Sequence, residues 1–152
     1  MEKLVEALVG NVVIRLVSIA IVMDTIFGAM RAVKEHRFNS CVGIDGAIRK
    51  IAMIVSLVFL QVIDLLIRIN LIGFIPEEVR AYFPDSIAVI GLAEFFSLLY
   101  LGYEAVSVLK NMALCGLPVK KLWEAVRTFL GKYTEELPDT EEQDRKQREE
   151  KR

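Results

Sequence analysis

Residues 51–69 read IAMIVSLVFLQVIDLLIRI, and this apolar stretch decides which kind of fold the chain can adopt. A helix needs about 20 mostly apolar residues to cross the hydrocarbon core of a bilayer, which is roughly 30 Å thick. Two more stretches of similar length and character occupy residues 4–23 and 86–108. Pro76 and Pro84 lie between the second and third stretches, and prolines end helices. The sequence therefore predicts an all-α membrane protein with three transmembrane helices.

The charged residues are concentrated at one end of the chain. The 152 residues are 54% hydrophobic and 26% charged, with a formal net charge of −1. Residues 132–152 contain six basic and eight acidic residues but only two apolar ones, so they cannot bury a core. We therefore divide the chain into a membrane domain at residues 1–131 and a charged cytoplasmic tail at residues 132–152.

Composition and motifs also exclude several classes of function. A soluble enzyme of this size needs more polar residues to cover its surface than this chain has outside its tail. A protein that binds nucleic acid needs a basic domain to neutralise phosphates, and the net charge of −1 provides none. The sequence shows no glycine-rich phosphate loop, no nucleophile–base pair and no cluster of metal ligands. We therefore expect no enzymatic activity, no cofactor and no metal site.

The distribution of lysine and arginine predicts how the chain crosses the membrane. Five of them lie within residues 31–50 and four within residues 109–131, whereas residues 70–85 contain one. Positively charged flanks stay in the cytoplasm. We therefore expect the C-terminus on the cytoplasmic side of the membrane and the N-terminus on the outside.

The first span is the least regular of the three. Glu6, Asn11 and Arg15 interrupt it, and an arginine at the bilayer centre costs about 2.5–3.5 kcal/mol. The Val, Ile and Leu residues of the span favour insertion by slightly more than this cost. The alternative is a protein with two spans, whose first helix lies on the inner surface of the membrane.

Polar side chains within the spans form the candidate site, and in the second and third spans their spacing places them on one face of the helix. They are Arg15, Gln61, Asp64, Arg68, Glu94, Ser97 and Glu104. Asp64 and Arg68 are four residues apart, which allows an ion pair within one helix. The polar groups either pair between helices and hold a small bundle together, or line a water-filled path. Because five of them ionise, which is many for three helices to bury, we expect a homo-oligomer.

Residues 118–130 have the pattern of an amphipathic helix. Apolar residues recur at helical spacing, and the basic residues lie off the apolar stripe. Trp123 suits the level of the lipid headgroups. We expect this helix to lie on the inner leaflet of the membrane. The alternative is a helix that packs against its own bundle or against a partner protein.

Small and polar residues recur at characteristic spacings along the chain. They are Asp24, Gly28, Ala32, Lys34, Ser40, Gly43, Gly46, Lys50, Glu104, Ser107, Asn111, Gly116 and Pro118. Their order and spacing resemble the signature of the family of phage lysis and toxin-secretion holins. The resemblance covers about residues 24–130. It departs from the family at Lys110, where an acidic residue usually precedes the asparagine.

The resemblance implies a small protein of the bacterial cytoplasmic membrane, from a phage or prophage. Such proteins oligomerise in the lipid bilayer and open lesions, through which a muralytic enzyme, or endolysin, reaches the cell wall and lyses the host. Some relatives are associated with the release of large toxins. Two alternatives stay open: a non-lytic membrane scaffold that recruits a cytoplasmic partner, and a small ion channel.

Overall fold

The structure, a computed structural model, describes residues 1–36, 40–82 and 89–133. In chain order its helices are α1 (Glu2–Gly10), α2 (Val12–Lys34), α3 (Ser40–Ile67), α4 (Glu77–Arg80), α5 (Leu92–Cys115) and α6 (Lys120–Leu130), with a 3-10 turn at Leu71–Phe74. The described ranges contain no strand. Three helices, α2, α3 and α5, are long and apolar enough to span a membrane. The predicted all-α fold with three spanning helices is therefore confirmed, while nearly all of the predicted tail lies outside the described residues.

The first span differs from its predicted position because the chain breaks at Asn11. This residue has extended backbone angles, φ −74° and ψ 110°, and separates α1 from α2. Its side-chain Oδ1 accepts the backbone N–H groups of Val13 and Ile14, at 3.1 and 3.2 Å. Asparagine is a favoured N-cap, because it satisfies N–H groups that have no partner within the helix. The helix that spans the membrane therefore starts at Val12 and continues to Lys34, beyond the predicted end at residue 23.

The new start of the span changes the position of Arg15. It lies four residues after the Asn11 cap, about 6 Å along the helix axis, and its side chain is exposed. An arginine near the end of a span can extend its guanidinium to the headgroups, so the cost expected at the bilayer centre does not apply. The structure also favours three spans over the two-span alternative, since the short separate helix is α1, and α2 has spanning length without it.

The connection between the second and third spans is organised by Asn70. Helix α3 ends at Ile67, and the next residue, Arg68, has a left-handed φ of +54°. The side-chain Oδ1 of Asn70 accepts N–H groups from Ile72 and Ile90, at 3.1 and 3.3 Å. One side chain thus joins the end of the second span to the start of the third. The predicted start of the third span, residue 86, lies outside the described residues.

Helix α5 is the central element of the bundle. It packs along α2 and against α3, whereas α2 and α3 have few contacts with each other. Val17 and Ile21 of α2 and Leu57 of α3 form a small buried core under side chains of α5. Only 17% of each spanning segment is buried. Most apolar side chains therefore face outward, as expected for helices surrounded by lipid.

Helix α6 corresponds to the amphipathic helix predicted at residues 118–130. Gly116, whose φ of +94° is left-handed, ends α5, and α6 begins four residues later at Lys120. Glycine adopts this conformation without the steric cost that a side chain would add. Helix α6 packs against α5 and buries Trp123.

Candidate functional site

Four polar side chains from the three spanning helices meet in the bundle, and we call them the charged cluster. They are Asp24 of α2, Lys50 of α3, and Glu104 and Asn111 of α5. The Nζ of Lys50 lies 2.6 Å from Asp24 Oδ2 and 3.0 Å from Glu104 Oε2. The amide Nδ2 of Asn111 donates to Asp24 Oδ1 at 2.9 Å. The cluster therefore links all three spans through hydrogen bonds to charged groups.

The charged cluster lies well inside the apolar part of the molecule. Asp24 is twelve residues from the start of α2, about 18 Å along its axis. Glu104 is only 1% exposed and Asp24 8%. A buried carboxylate without a partner is strongly destabilising, and a lysine shared between two carboxylates removes most of that cost. Lys50 is therefore the shared partner that compensates both buried carboxyl groups.

Gly28 follows Asp24 by about one helical turn and keeps space for Asn111. A Cβ built at Gly28 would lie 3.6 Å from the Nδ2 of Asn111, which is ordinary contact. A larger side chain would displace the amide from Asp24. The spacing of Asp24, Gly28, Lys50, Glu104 and Asn111 in the sequence thus corresponds to one connected site.

A second group of polar side chains surrounds the first residue of α5, and we call it the capping cluster. It consists of Asn11, Gln61, Asp64 and Glu94. The Nδ2 of Asn11 donates to Glu94 Oε1 at 2.6 Å and lies 3.5 Å from Gln61 Oε1. The other oxygen of Glu94, Oε2, accepts the backbone N–H of Gly91 at 2.9 Å.

Asp64 of α3 caps the start of α5. Its two carboxylate oxygens accept the backbone N–H groups of Leu92 and Ala93, at 3.0 and 2.7 Å. The N-terminus of a helix has unpaired N–H groups and a positive dipole end, so a carboxylate is stabilised there. The ion pair that the spacing allows between Asp64 and Arg68 does not form among the described residues. Helix α3 ends at Ile67, and Arg68 has a left-handed backbone. The exposed side chain of Arg68 therefore does not lie one helical turn above Asp64.

Gly91 is the N-cap of α5 and lies between the two carboxylates of the capping cluster. A Cβ at this position would lie 2.6 Å from Asp64 Oδ2 and 2.7 Å from Glu94 Oε2. Both distances are shorter than non-bonded contacts of a Cβ atom in proteins, so the carboxylates would have to move. The capping cluster therefore depends on a residue without a side chain at position 91.

The predicted polar face divides into paired and unpaired groups. Gln61, Asp64 and Glu94 belong to the capping cluster and Glu104 to the charged cluster, so these four find partners within one chain. Ser97 is fully buried, and its hydroxyl has no hydrogen-bond partner among the described residues.

Arg15 and Arg68 join neither cluster, and both are exposed. The structure therefore favours pairing between helices over a water-filled path within a single chain. It also weakens the argument that burial of the polar face alone requires an oligomer.

Other residues of the family pattern have separate positions. Lys34 donates from Nζ to the backbone oxygen of Leu114 at 3.1 Å, next to Gly116 at the end of α5. Of the remaining members, Ala32 and Ser107 are half-buried, Pro118 is exposed, and a Cβ built at Gly43 or Gly46 would have nothing within 4 Å. The side chain of Ser40 lies outside the described residues.

Two members of the clusters were not apparent from the polar face alone. Asn11 interrupts an apolar stretch, so in the sequence it is easily taken for a polar residue in the middle of a span. An asparagine before an apolar helical run is also an N-cap pattern. Lys50 is interpreted from the sequence as part of the cytoplasmic flank, because the apolar stretch begins immediately after it. In the structure α3 starts ten residues earlier, at Ser40, so Lys50 lies within the helix.

The fold and the two clusters define a multi-pass membrane protein in which polar side chains of the three spanning helices bond to one another inside the bundle. The model of the bacteriophage holin family matches residues 3–131, and the chain belongs to this family. It is similar to the holin-like protein TcdE of Clostridioides difficile, with 41% identity over 138 residues, covering 90% of this chain and 82% of that protein. No solved structure matches the chain.

Proposed function

We propose that this holin oligomerises in the bacterial cytoplasmic membrane and opens lesions that release an endolysin or a toxin, which leads to lysis of the host cell. The observation that carries the proposal is the charged cluster, which places ionised groups inside otherwise apolar spanning helices. Family membership and the similarity to TcdE support the same role.

The geometry supports a closed form in which the polar groups pair within each chain. Separation of α2 and α3 from α5 exposes the charged cluster and the capping cluster on one side of each helix. Exposure of these polar groups to lipid is very unfavourable. In contact with water the groups are solvated, so the free-energy cost of separating the helices falls. A water-filled lesion is therefore the environment in which the separated helices are stable.

An oligomer follows from the size of the cargo. Three helices of one chain enclose no channel, so a hole that passes a folded protein needs several copies around it. We place the N-terminus outside and the C-terminus inside the cell. The support for this orientation is that residues 31–49 carry four lysines or arginines and residues 111–131 carry three, whereas residues 70–85 carry one.

The test is induced expression in a bacterium with a co-expressed endolysin and marker proteins of different sizes. We expect the membrane potential to collapse, followed by release of the endolysin and of the folded markers. Intact cells with a steady potential at high protein level would contradict the proposal. Collapse of the potential without release of any marker would instead indicate a small ion channel.

A further inference from the structure

The apolar side of α6 is wider than the bundle covers. Trp123 packs against the bundle and is only 9% exposed. On the adjacent side of the helix, Leu122 and Phe129 are 57% and 62% exposed. Tyr133 extends this side, since its ring contacts that of Phe129 with centroids 5.2 Å apart. We call Leu122, Phe129 and Tyr133 the exposed face of α6.

Basic residues border the exposed face of α6. At 100° per residue, Lys121 and Lys132 lie along its polar edge. Neither forms an ion pair with another described residue. The acidic residue of the helix, Glu124, lies away from this edge and is 4.0 Å from Lys120. The exposed face is therefore apolar at its centre and positively charged at its border.

The position of α6 limits what can cover this face. Helix α5 has spanning length and ends at Cys115, and only four residues separate it from Lys120. Helix α6 therefore begins where the chain leaves the membrane. A helix at this level with aromatic and aliphatic side chains beside lysines fits the boundary between headgroups and acyl chains.

We propose that the exposed face of α6 lies in an anionic lipid surface, while Trp123, on the other side of the helix's apolar stripe, packs against the bundle. Leu122 and Phe129 insert among the acyl chains, and Lys121 and Lys132 contact lipid phosphates. Helix α6 would then join the bundle to the membrane surface. The inference needs only the membrane position of α5, and it stands independently of the proposed lytic function.

The single tryptophan of the chain allows a direct test in the full-length protein. We compare the native protein with the double variant Trp123→Phe/Phe129→Trp, so that each has one tryptophan on a different side of α6. A third protein, Trp123→Phe/Glu124→Trp, places it on the polar side, where Glu124 is 62% exposed. All three are reconstituted in vesicles of phosphatidylcholine with phosphatidylglycerol, and fluorescence is quenched either by brominated acyl chains or by aqueous iodide.

We expect brominated lipid to quench the tryptophan at position 129 at least about twofold more than those at positions 123 and 124, because only this side inserts. Iodide should quench the tryptophan at position 124 most. Equal quenching of positions 124 and 129 by iodide would overturn the proposal. Protection of position 129 from both quenchers would also overturn it, because a second copy or another protein would then cover the face.

The contribution of the lysines is tested in the Phe129→Trp background. We expect Lys121→Gln/Lys132→Gln to reduce lipid quenching in vesicles with phosphatidylglycerol and to have little effect in phosphatidylcholine alone, since the attraction requires anionic headgroups. The matched control is Lys120→Gln, which removes a lysine from the other side of the helix. Equal effects of the control and the double variant, or equal effects in both lipids, would contradict the role of charge.

Discussion

Lys50 donates to carboxylates on two different helices, so a single side chain determines whether two buried acids are compensated. We expect Lys50→Met to destabilise the folded protein by about 3–5 kcal/mol, because it leaves Asp24 and Glu104 buried without their shared cation. Thermal unfolding in detergent measures this loss. In cells, a less stable closed bundle should also shorten the delay before lysis.

The control for Lys50 removes the charges together. The triple variant Lys50→Met/Asp24→Asn/Glu104→Gln keeps the approximate shapes of the side chains and leaves no ion in the charged cluster, so we expect it to regain most of the lost stability. A triple variant as unstable as Lys50→Met would show that packing around Lys50, and not compensation of charge, is what the substitution disrupts.

Gly91 provides a second prediction for a single residue. We expect Gly91→Ala to destabilise the protein by about 1–3 kcal/mol, because the added methyl group displaces the carboxylates of Asp64 and Glu94 from the start of α5. The backbone at Gly91 is extended, so alanine adds no conformational strain there. Melting temperature in detergent is the measurement.

Gly102 is the matched control for Gly91. It lies within α5, the helix that Gly91 caps, and nothing comes within 4 Å of a Cβ built at Gly102. Alanine in a helix interior stabilises by about 0.5–1 kcal/mol relative to glycine. We therefore expect Gly102→Ala to be neutral or slightly stabilising. The interpretation of Gly91 fails if both variants change the melting temperature in the same direction and by the same amount.

At the scale of elements, Asn11 connects the break between α1 and α2 to the other helices. Its Oδ1 caps α2, and its Nδ2 donates to Glu94 of α5. We expect Asn11→Ala to lose both functions and Asn11→Asp to lose only the second, because a carboxylate still accepts N–H groups but repels Glu94. Loss of the cap alone costs about 0.5–2 kcal/mol.

Hydrogen exchange separates the two functions of Asn11. The amides of Val13 and Ile14 should exchange faster in Asn11→Ala and stay protected in Asn11→Asp, although both variants melt at a lower temperature than the native protein. Fast exchange of these amides in Asn11→Asp would show that the cap depends on the contact with Glu94.

The elements differ in how far their own residues predict them. The apolar stretch at 51–69 and the amphipathic pattern at 118–130 identify α3 and α6, because length and periodicity are local properties. The break at Asn11 is harder to predict, since apolar residues continue on both sides of it. The partner of Asp64 is not local at all: the N–H groups that it accepts are 28 and 29 residues away. Periodicity places Asp64 on a face, but only packing decides what that face meets.

For the whole molecule, both clusters hold α5 against its two neighbours. The charged cluster bonds α5 to α2 and α3 directly. The capping cluster bonds α5 to α3 and to Asn11, the residue before α2. The outside of the bundle is mostly apolar, and its exposed polar contacts, Lys34 with the Leu114 oxygen and Arg49 with Tyr103, again run from α2 and α3 to α5. The closed form is thus suited to lipid only while the three helices stay together. If lesions form as proposed, separation of α5 from its neighbours is the step that controls them.

A reversible link between α2 and α5 tests that step. A Cβ built at Gly28 would lie 3.6 Å from the side-chain Nδ2 of Asn111, so the two positions are neighbours across α2 and α5. In the variant Gly28→Cys/Asn111→Cys, with Cys41 and Cys115 changed to serine, a short bifunctional thiol reagent that contains a reducible disulfide can join the two helices. Crosslinked protein in vesicles should release trapped marker proteins far more slowly than the same protein after reduction, because linked helices cannot separate. The reduced form controls for the loss of Asn111. Equal release in both forms would show that lesions open without parting α2 from α5, and that the polar faces which meet water belong to another pair of helices.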